Sequence, residues 1–347
     1  MLRAPAACVW HNGGPCDLSP DTRNAEPDMT PSSASPNAAA IELNAVIVAL
    51  TGDEPRVLTL EGGALLPSGP FETDHPTLQT GLRAWVERQT HHPLGYVEQL
   101  YTFADRDRTE SCTGRHVISI SYLGLTSERH SAGPHDAGWH SWYRYFPWED
   151  WRSGPSPLVA EAILPRLGQW VEAAAEPAVR HERRQRVAFN FGECAVGVAG
   201  GTSGWNEELV LQRYELLYEA GLVPEAGRQR PVADPLPGMP MRHDHRRILA
   251  TGIARLRAKI KYRPVVFELM PSAFTLLQLQ RAVEALAGRR LHKQNFRRLI
   301  DQQGLVEETG AVSAETGGRP AKLYRFRREI LVERAVAGTK LPLSRSA

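Results

Sequence analysis

Apolar residues recur at three- and four-residue steps through Leu276, Leu279, Val283 and Leu286, and again through Leu291, Phe296, Leu299 and Ile300. Thr275 and Gln278 stand at capping-box spacing before the first run and Gly288 follows it, so one short helix is predicted there. In the second run the four apolar residues share a face, which turns Lys293, Gln294, Arg297 and Arg298 outward. An apolar strand around Leu305, a loop with Gly317 and Gly318, and a strand from Ala321 to Phe326 complete the outline of a winged helix-turn-helix. Arg319 and Lys322 lie on its wing.

The N-terminal half has a different rhythm. Ile41 to Leu50 and Arg56 to Leu60 read as strands, a turn covers residues 66 to 71, and Thr77 to Gln89 is a helix with Leu78, Leu82, Trp85 and Val86 on one face. Strands follow at Tyr96 to Phe103 and Val117 to Leu125. The class is α+β. Leu158 to Val171 and Glu207 to Gly221 read as amphipathic helices, and the charged stretch His181 to Arg186 between them as a solvated turn. Residues 223 to 240 hold five prolines without periodicity and read as a linker. Arg242 to Tyr262 is a basic helix whose stripe, Ile248, Leu249, Ile253, Leu256 and Ile260, suits either a core or a dimer contact. Residues 1 to 38 lack periodicity and are expected to be disordered, with Met29 an alternative start, and 333 to 347 form a flexible tail. The expected domains are thus a first domain over 39–222, a linker over 223–240, and a linker helix with the winged helix over 241–332.

Composition adds a location for the charge. The 347-residue chain has a formal net charge of only +2, yet residues 281 to 328 carry eleven Lys and Arg against five Asp and Glu. Concentrated on a helix-turn-helix pattern, this is the electrostatic footprint of a double-stranded DNA binder, the competing reading being a solvated helical face. Gln and Arg present paired hydrogen-bond groups to base edges, and Lys neutralises phosphate. Lys293, Gln294, Asn295, Arg297 and Arg298 are the candidate DNA contacts, with Arg319 and Lys322 on phosphates. Cys8, Cys16, Cys112 and Cys194 have no paired spacing and read as free thiols, and His130, His135 and His140 as loop histidines, so no metal site is expected. No apolar run reaches the roughly 20 residues that a membrane crossing needs; a cytoplasmic location is the expectation.

Around the first helix the chain resembles the Nudix box, G-x5-E-x7-R-E-U-x-E-E-x-G-U, where U is bulky and aliphatic. With Gly69 on the first glycine, Arg83, Trp85 and Glu87 fall on box positions in one register, whereas His75, Ala84, Arg88, Thr90 and His91 depart from it. Clustered carboxylates hold magnesium in such boxes, and one Glu beside an Arg predicts a box without hydrolytic activity. The segment from Tyr96 to Phe103, together with HDHRRILATGIARLRAKIKY, FTLLQLQRAVEALAGR, HKQNFRRLI and GRPAKLYRF, resembles the Nudix-related transcriptional regulators of NAD metabolism. The long middle is most similar to their alphaproteobacterial NadQ branch. His292 stands where the family usually has Asp, which weakens the cap of the second helix.

The resemblance implies a homodimeric repressor of NAD biosynthesis genes that binds a palindromic operator. It needs no cofactor and is controlled by ADP-ribose, NAD or a related nucleotide. Phe71, Arg83, Glu87, Tyr101, Phe103 and Arg106 are the candidate ligand residues, from their place near the box. The aromatic segment Trp139 to Trp151, with Arg144 and Arg152, either stacks the ligand's rings or forms a buried sheet edge or dimer contact. The competing function is an active Nudix hydrolase of ADP-ribose or a similar nucleoside diphosphate derivative.

Overall fold

The computed structural model of the chain describes residues 39–105, 116–126, 137–192, 204–227, 231–313, 320–327 and 329. The four cysteines, Arg106, His130, His135, Gly317, Gly318, Arg319 and the segments 1–38 and 333–347 lie outside the described residues. A six-stranded mixed sheet is built on β1 (Ala40–Thr51), whose Leu43 to Ala49 are buried on both faces. β2 (Glu54–Thr59) and the short β3 (Ser68–Pro70) pair with it antiparallel. On its other edge runs a parallel partner, β5 (Val117–Leu125), in register from Ala40 opposite Val117 to Val48 opposite Leu125. β4 (Tyr96–Phe103) and β6 (Gly138–Ser141) close the two edges. Such a central strand needs apolar side chains in both directions, which explains the near-continuous run AVIVAL.

Alternation then assigns the faces. Leu43, Ala45 and Ile47 join Ile120 and Tyr122 beneath Leu82 and Val86 of α1 (Leu78–Thr90). On the other face Val46, Val48, Leu123 and Leu125 lie under Ile248, Leu249 and Ile253 of α5 (His245–Lys259), so the apolar stripe of that helix is core. Gly252 makes the approach possible, since a Cβ there would stand 2.8 Å from a Val46 methyl. The order β3, α1, β4 is the strand, loop, helix, loop and strand that the box resemblance implies. The class is α+β, as expected.

Between the sheet and α5 the chain inserts α2 (Leu164–Glu172), α3 (Pro177–Phe191) and α4 (Val210–Glu219). His181 to Arg186, expected as a turn, is in α3. Its Arg180 and Arg184 meet Glu172 and its Arg186 meets Glu219, so the charges are held by neighbouring helices while Val187 and Phe191 are buried. Residues 223–240, described apart from 228–230, are irregular but packed: Leu236 is buried and its N–H donates to Leu222 O at 2.8 Å. Trp142, Tyr145, Phe146 and Trp148 of the aromatic segment are fully buried, so the structural reading of that stretch holds.

Within that segment sits the most buried carboxylate among the described residues. The Glu149 carboxylate, 1% exposed, accepts from Arg213 Nε and Nη2 at 2.7 and 2.8 Å and from Arg257 Nη1 at 2.8 Å. Arg257 also donates from Nε to Leu286 O at 2.9 Å. Leu286 belongs to α6 (Leu276–Ala287), and the same helix end is held by Tyr143 Oη on Ala285 O and by Trp151 N on Gly288 O, both at 2.7 Å. Carbonyls left without intrahelical partners at a helix C-terminus thus find donors, and a cation meets the negative end of the helix dipole. Gly288, with φ of 73°, is the left-handed cap, and a Cβ on it would come within 2.5 Å of Glu149 O.

Two outcomes follow. Glu149→Ala strips the carboxylate from two buried guanidinium groups and should lower the unfolding free energy by about 3–5 kcal/mol in urea titrations. His245 accepts from Leu66 N at 2.9 Å, and burial, helped by His243, pushes its pKa from 6.5 down to about 3. The folded chain therefore keeps a neutral ring where the unfolded chain takes up a proton. Stability should be undiminished above about pH 6.5 and decline below it, by at most about 1.4 kcal/mol per pH unit. His245→Asn, which retains an acceptor for Leu66, should flatten that decline.

Candidate nucleic-acid interface

α6 begins with the capping box its sequence announces. Gln278 N donates to Thr275 Oγ1 at 3.1 Å, and Thr275 N to Gln278 Oε1 at 2.7 Å. The turn after Gly288 is fixed by Glu284, a buried acid whose Oε1 accepts from Leu291 N and Gln280 Nε2, both at 2.9 Å, and whose Oε2 accepts from Arg290 at 2.9 Å. Burial alone would raise its pKa, but these hydrogen bonds outweigh burial and hold it below the ordinary value. α7 (Lys293–Gln303) starts from this turn and ends on Gly304 in the left-handed region. Its N-cap, His292, makes no side-chain cap hydrogen bond.

Phe296 and Ile300 point inward at 8% and 7% exposure. Leu299, expected on the same apolar face, is 50% exposed, because one residue's turn of 100° carries it past the edge of the packed stripe. Lys293, Gln294, Asn295, Arg297 and Arg298 are all exposed. None of these five makes a side-chain hydrogen bond or ion pair among the described residues. Elsewhere in the domain cations face acids: Arg281 lies 3.9 Å from Asp53, Arg289 3.7 Å from Glu207, and Arg290 2.9 Å from Glu284. Among the described residues from α6 to the wing, the outer face of α7 is thus where cations stand without acidic partners.

β7 (Val306–Ser313) and β8 (Ala321–Phe326) form the antiparallel wing, anchored by paired hydrogen bonds between Phe274 and Tyr324. Lys322 donates to both Glu308 oxygens at 2.8 and 3.0 Å, a contact that raises its pKa, and Arg325 donates to Glu307 at 2.6 Å. The wing thus carries its cations as exposed cross-strand pairs, which contribute little to stability and exchange readily for another anion.

The candidate ligand residues are not gathered in one place. Arg83, on α1, donates to Leu94 O and, at 3.0 Å, to Gly95 O, tying the helix to the chain that enters β4. Glu87 is exposed on the same helix, and Phe71 is half-buried with its ring 6.0 Å from that of His75. Phe103 is buried on the opposite face of the sheet, 4.4 Å beneath the Arg247 guanidinium, with the exposed Tyr101 ring 4.9 Å from it. Arg106 is outside the described residues. Among the described residues the one group of three possible metal ligands is Glu72, Asp74 and His75, and Glu87 is not part of it. Sequence reasoning missed Glu149, Arg213, Arg257 and Glu284, which position α6 and α7; no local pattern marks an acid as buried. No helix among the described residues is long and apolar enough to cross a membrane.

Two helices, a wing and an exposed cationic face define a winged helix-turn-helix domain of the DNA-binding kind. Residues 266–326 match the family model for the NrtR DNA-binding winged helix domain. A relative in Acinetobacter baylyi, the ADPR responsive transcriptional repressor NtrR, is 45% identical over 83 residues, which are 24% of this chain and 33% of that protein. The match therefore spans about a third of the relative's length. Among solved structures, NrtR of Shewanella oneidensis in complex with a 27mer DNA is 19% identical, covers 83% of this chain and 93% of its own, and has a TM-score of 0.49. A MutT/nudix family protein from Enterococcus faecalis is 15% identical, with coverage of 84% and 87% and a TM-score of 0.47.

Since Arg297 and Arg298 have no partner to lose among the described residues, Arg297→Ala and Arg298→Ala should each change thermal stability by less than about 0.5 kcal/mol. Glu284→Ala, which leaves the Leu291 amide unsatisfied, should cost about 1–3 kcal/mol in the same melts.

Proposed function

We propose that the protein is a DNA-binding transcriptional repressor of NAD biosynthesis genes, acting as a homodimer on a palindromic operator. Its first domain, over 39–222, binds ADP-ribose or a related nucleotide. The observation that carries this reading is the outer face of α7, with Lys293, Arg297 and Arg298 exposed and without acidic partners among the described residues. Arg297 and Gln294 read base edges in the major groove, Lys293, Asn295 and Arg298 position the helix, and Arg319 and Lys322 take phosphates from the wing. The uncapped start of α7 offers free backbone N–H groups to a phosphate as well. The winged-helix family match and the ADPR-responsive repressor in Acinetobacter baylyi support the same assignment.

The ligand domain, on this reading, binds without cleaving. Glu87 is the one box glutamate retained, Arg88 replaces its neighbour, and Glu87 has no place in a ligand group among the described residues. Phe71, Arg83 and Glu87, on the α1 side of the sheet, remain the proposed ligand contacts, whereas Phe103, buried beneath Arg247 on the other face with Tyr101 beside it, does not line the same site. Nucleotide binding alters operator affinity only so far as the two conformations differ in affinity for the nucleotide.

Selection from a random duplex pool with the full chain should recover a palindrome. Against that duplex, Arg297→Ala should weaken binding by about 1–3 kcal/mol and Lys322→Ala should lower the salt slope by about one. Duplex affinity equal to that of the parent after both substitutions would remove α7 and the wing from the interface. Incubation with ADP-ribose and magnesium should release no AMP; its release would establish a hydrolase.

A further inference from the structure

A cavity of about 410 Å³ lies behind the DNA-facing helix, between the C-terminal end of α5, α6 and α7. That volume falls within the range of small-molecule sites. Val283, Leu291, Phe296 and Ile300 form its apolar walls, so the inner face of the helix whose outer face carries Arg297 is itself one side of the cavity. Leu299 and Tyr262 stand at it with 50% and 62% exposure, more than a packed core leaves open to large apolar side chains.

The polar part of the lining is cationic. Arg257, Lys261, Arg263 and Arg289 contribute, against a single acid, Glu207. Arg257 is already paired with Glu149, and Lys261 with Glu208 at 2.6 Å. Glu207 is shared, at 2.9 Å from Lys261 and 3.7 Å from Arg289, while the Arg263 side chain makes no ion pair among the described residues. Burial alone would raise the Glu207 pKa, but its hydrogen bonds and the nearby cations outweigh burial and hold it below the ordinary value. Glu207 is therefore ionised, and the positive charge without a full partner is on Arg263 and Arg289. A low-dielectric pocket of this kind favours a ligand with an apolar body and one negative group, the body displacing water from the walls and the charge resting between Arg263 and Arg289.

We propose that this cavity is a binding site for a small amphipathic monoanion, an aromatic or branched aliphatic carboxylate, distinct from the nucleotide site of the first domain. Because α7 forms one wall, occupancy displaces the helix and lowers duplex affinity; this coupling rests on the interface proposed above, whereas the site itself does not. The full chain titrated with 1-anilinonaphthalene-8-sulfonate should show a saturable fluorescence rise with one molecule per chain. The rise should be displaced by 2-naphthoate or by 2-propylpentanoate, which separates an aromatic from a branched aliphatic preference. Arg263→Glu with Arg289→Glu should weaken the probe at least tenfold, and Val283→Trp, which fills the cavity, should abolish the rise with circular dichroism unchanged. No saturable rise, or equal affinity in the charge variant, would overturn the site even if Val283→Trp fails to fold. Saturating probe should weaken binding to the selected duplex at least fivefold. Unchanged duplex binding would overturn the coupling, and a chain that binds no duplex at all, with the fluorescence intact, would remove the interface and leave the site.

Discussion

One carboxylate holds two guanidinium groups out of water, and the placement of the winged helix follows from that. Glu149 comes from the aromatic segment after the sheet, Arg213 from α4 and Arg257 from α5, and Arg257 Nε reaches the carbonyl end of α6. Two cations and one anion leave an excess positive charge in the interior, and the desolvation of each is substantial. The arrangement is tolerable because the remaining donors find backbone carbonyls: Asn190 and Asn206 for Arg213, Glu207 and Glu149 for Arg257. An aromatic floor helps, with the Arg213 guanidinium 3.8 Å over Trp205 and Trp205 stacked on Trp151 at 4.1 Å. Apolar contacts would hold α6 loosely in direction; this set fixes its C-terminal turn by three directed hydrogen bonds, and with it the launch point of α7.

What could be read from the sequence was what is local. The capping box, the glycine stop and the 3.6-residue spacing of α6 involve partners within one or two turns, so their physics is written in adjacent letters. The same is true of β1, β2, β4, β5 and α1, whose alternation or stripe is continuous. The exposed side of α7 was legible for that reason, apart from Leu299 at the edge of the stripe. Glu149 was not, since Arg213 is 64 positions away and Arg257 108. α3 was hidden similarly: its charged middle lacks a stripe, and the acids that hold it, Glu172 and Glu219, belong to other helices. β3 and β6, at three and four residues, are too short for alternation to register. The box register placed Arg83 and Glu87 on one helix but said nothing of the sheet face, and Phe103 lies on the other.

α1 is bound into the sheet more than its surface composition suggests. Trp85 Nε1 donates to Pro70 O at 2.9 Å and Gln89 Nε2 to Ser68 O at 2.8 Å, so β3 and α1 clasp each other while Arg83 holds the entry to β4. Three polar side chains of one helix are thus occupied with backbone carbonyls. Glu87 and Arg88 are exposed on that helix, as are Gln79 and Thr80 nearer its start, and Arg88 lies 4.5 Å over the Trp85 ring.

The tethering of the α6 terminus also bears on how such a chain could be dismantled or recombined. A DNA-reading module excised on its own, from about Val266 onward, would leave behind Arg257 and Tyr143, and with them the donors that satisfy the carbonyls of Ala285 and Leu286. A chimera that grafts these helices onto a foreign sensor inherits the same deficit unless α5 and the Glu149 turn travel with them. The smallest portable unit is therefore larger than the stretch that recognition of the family picks out.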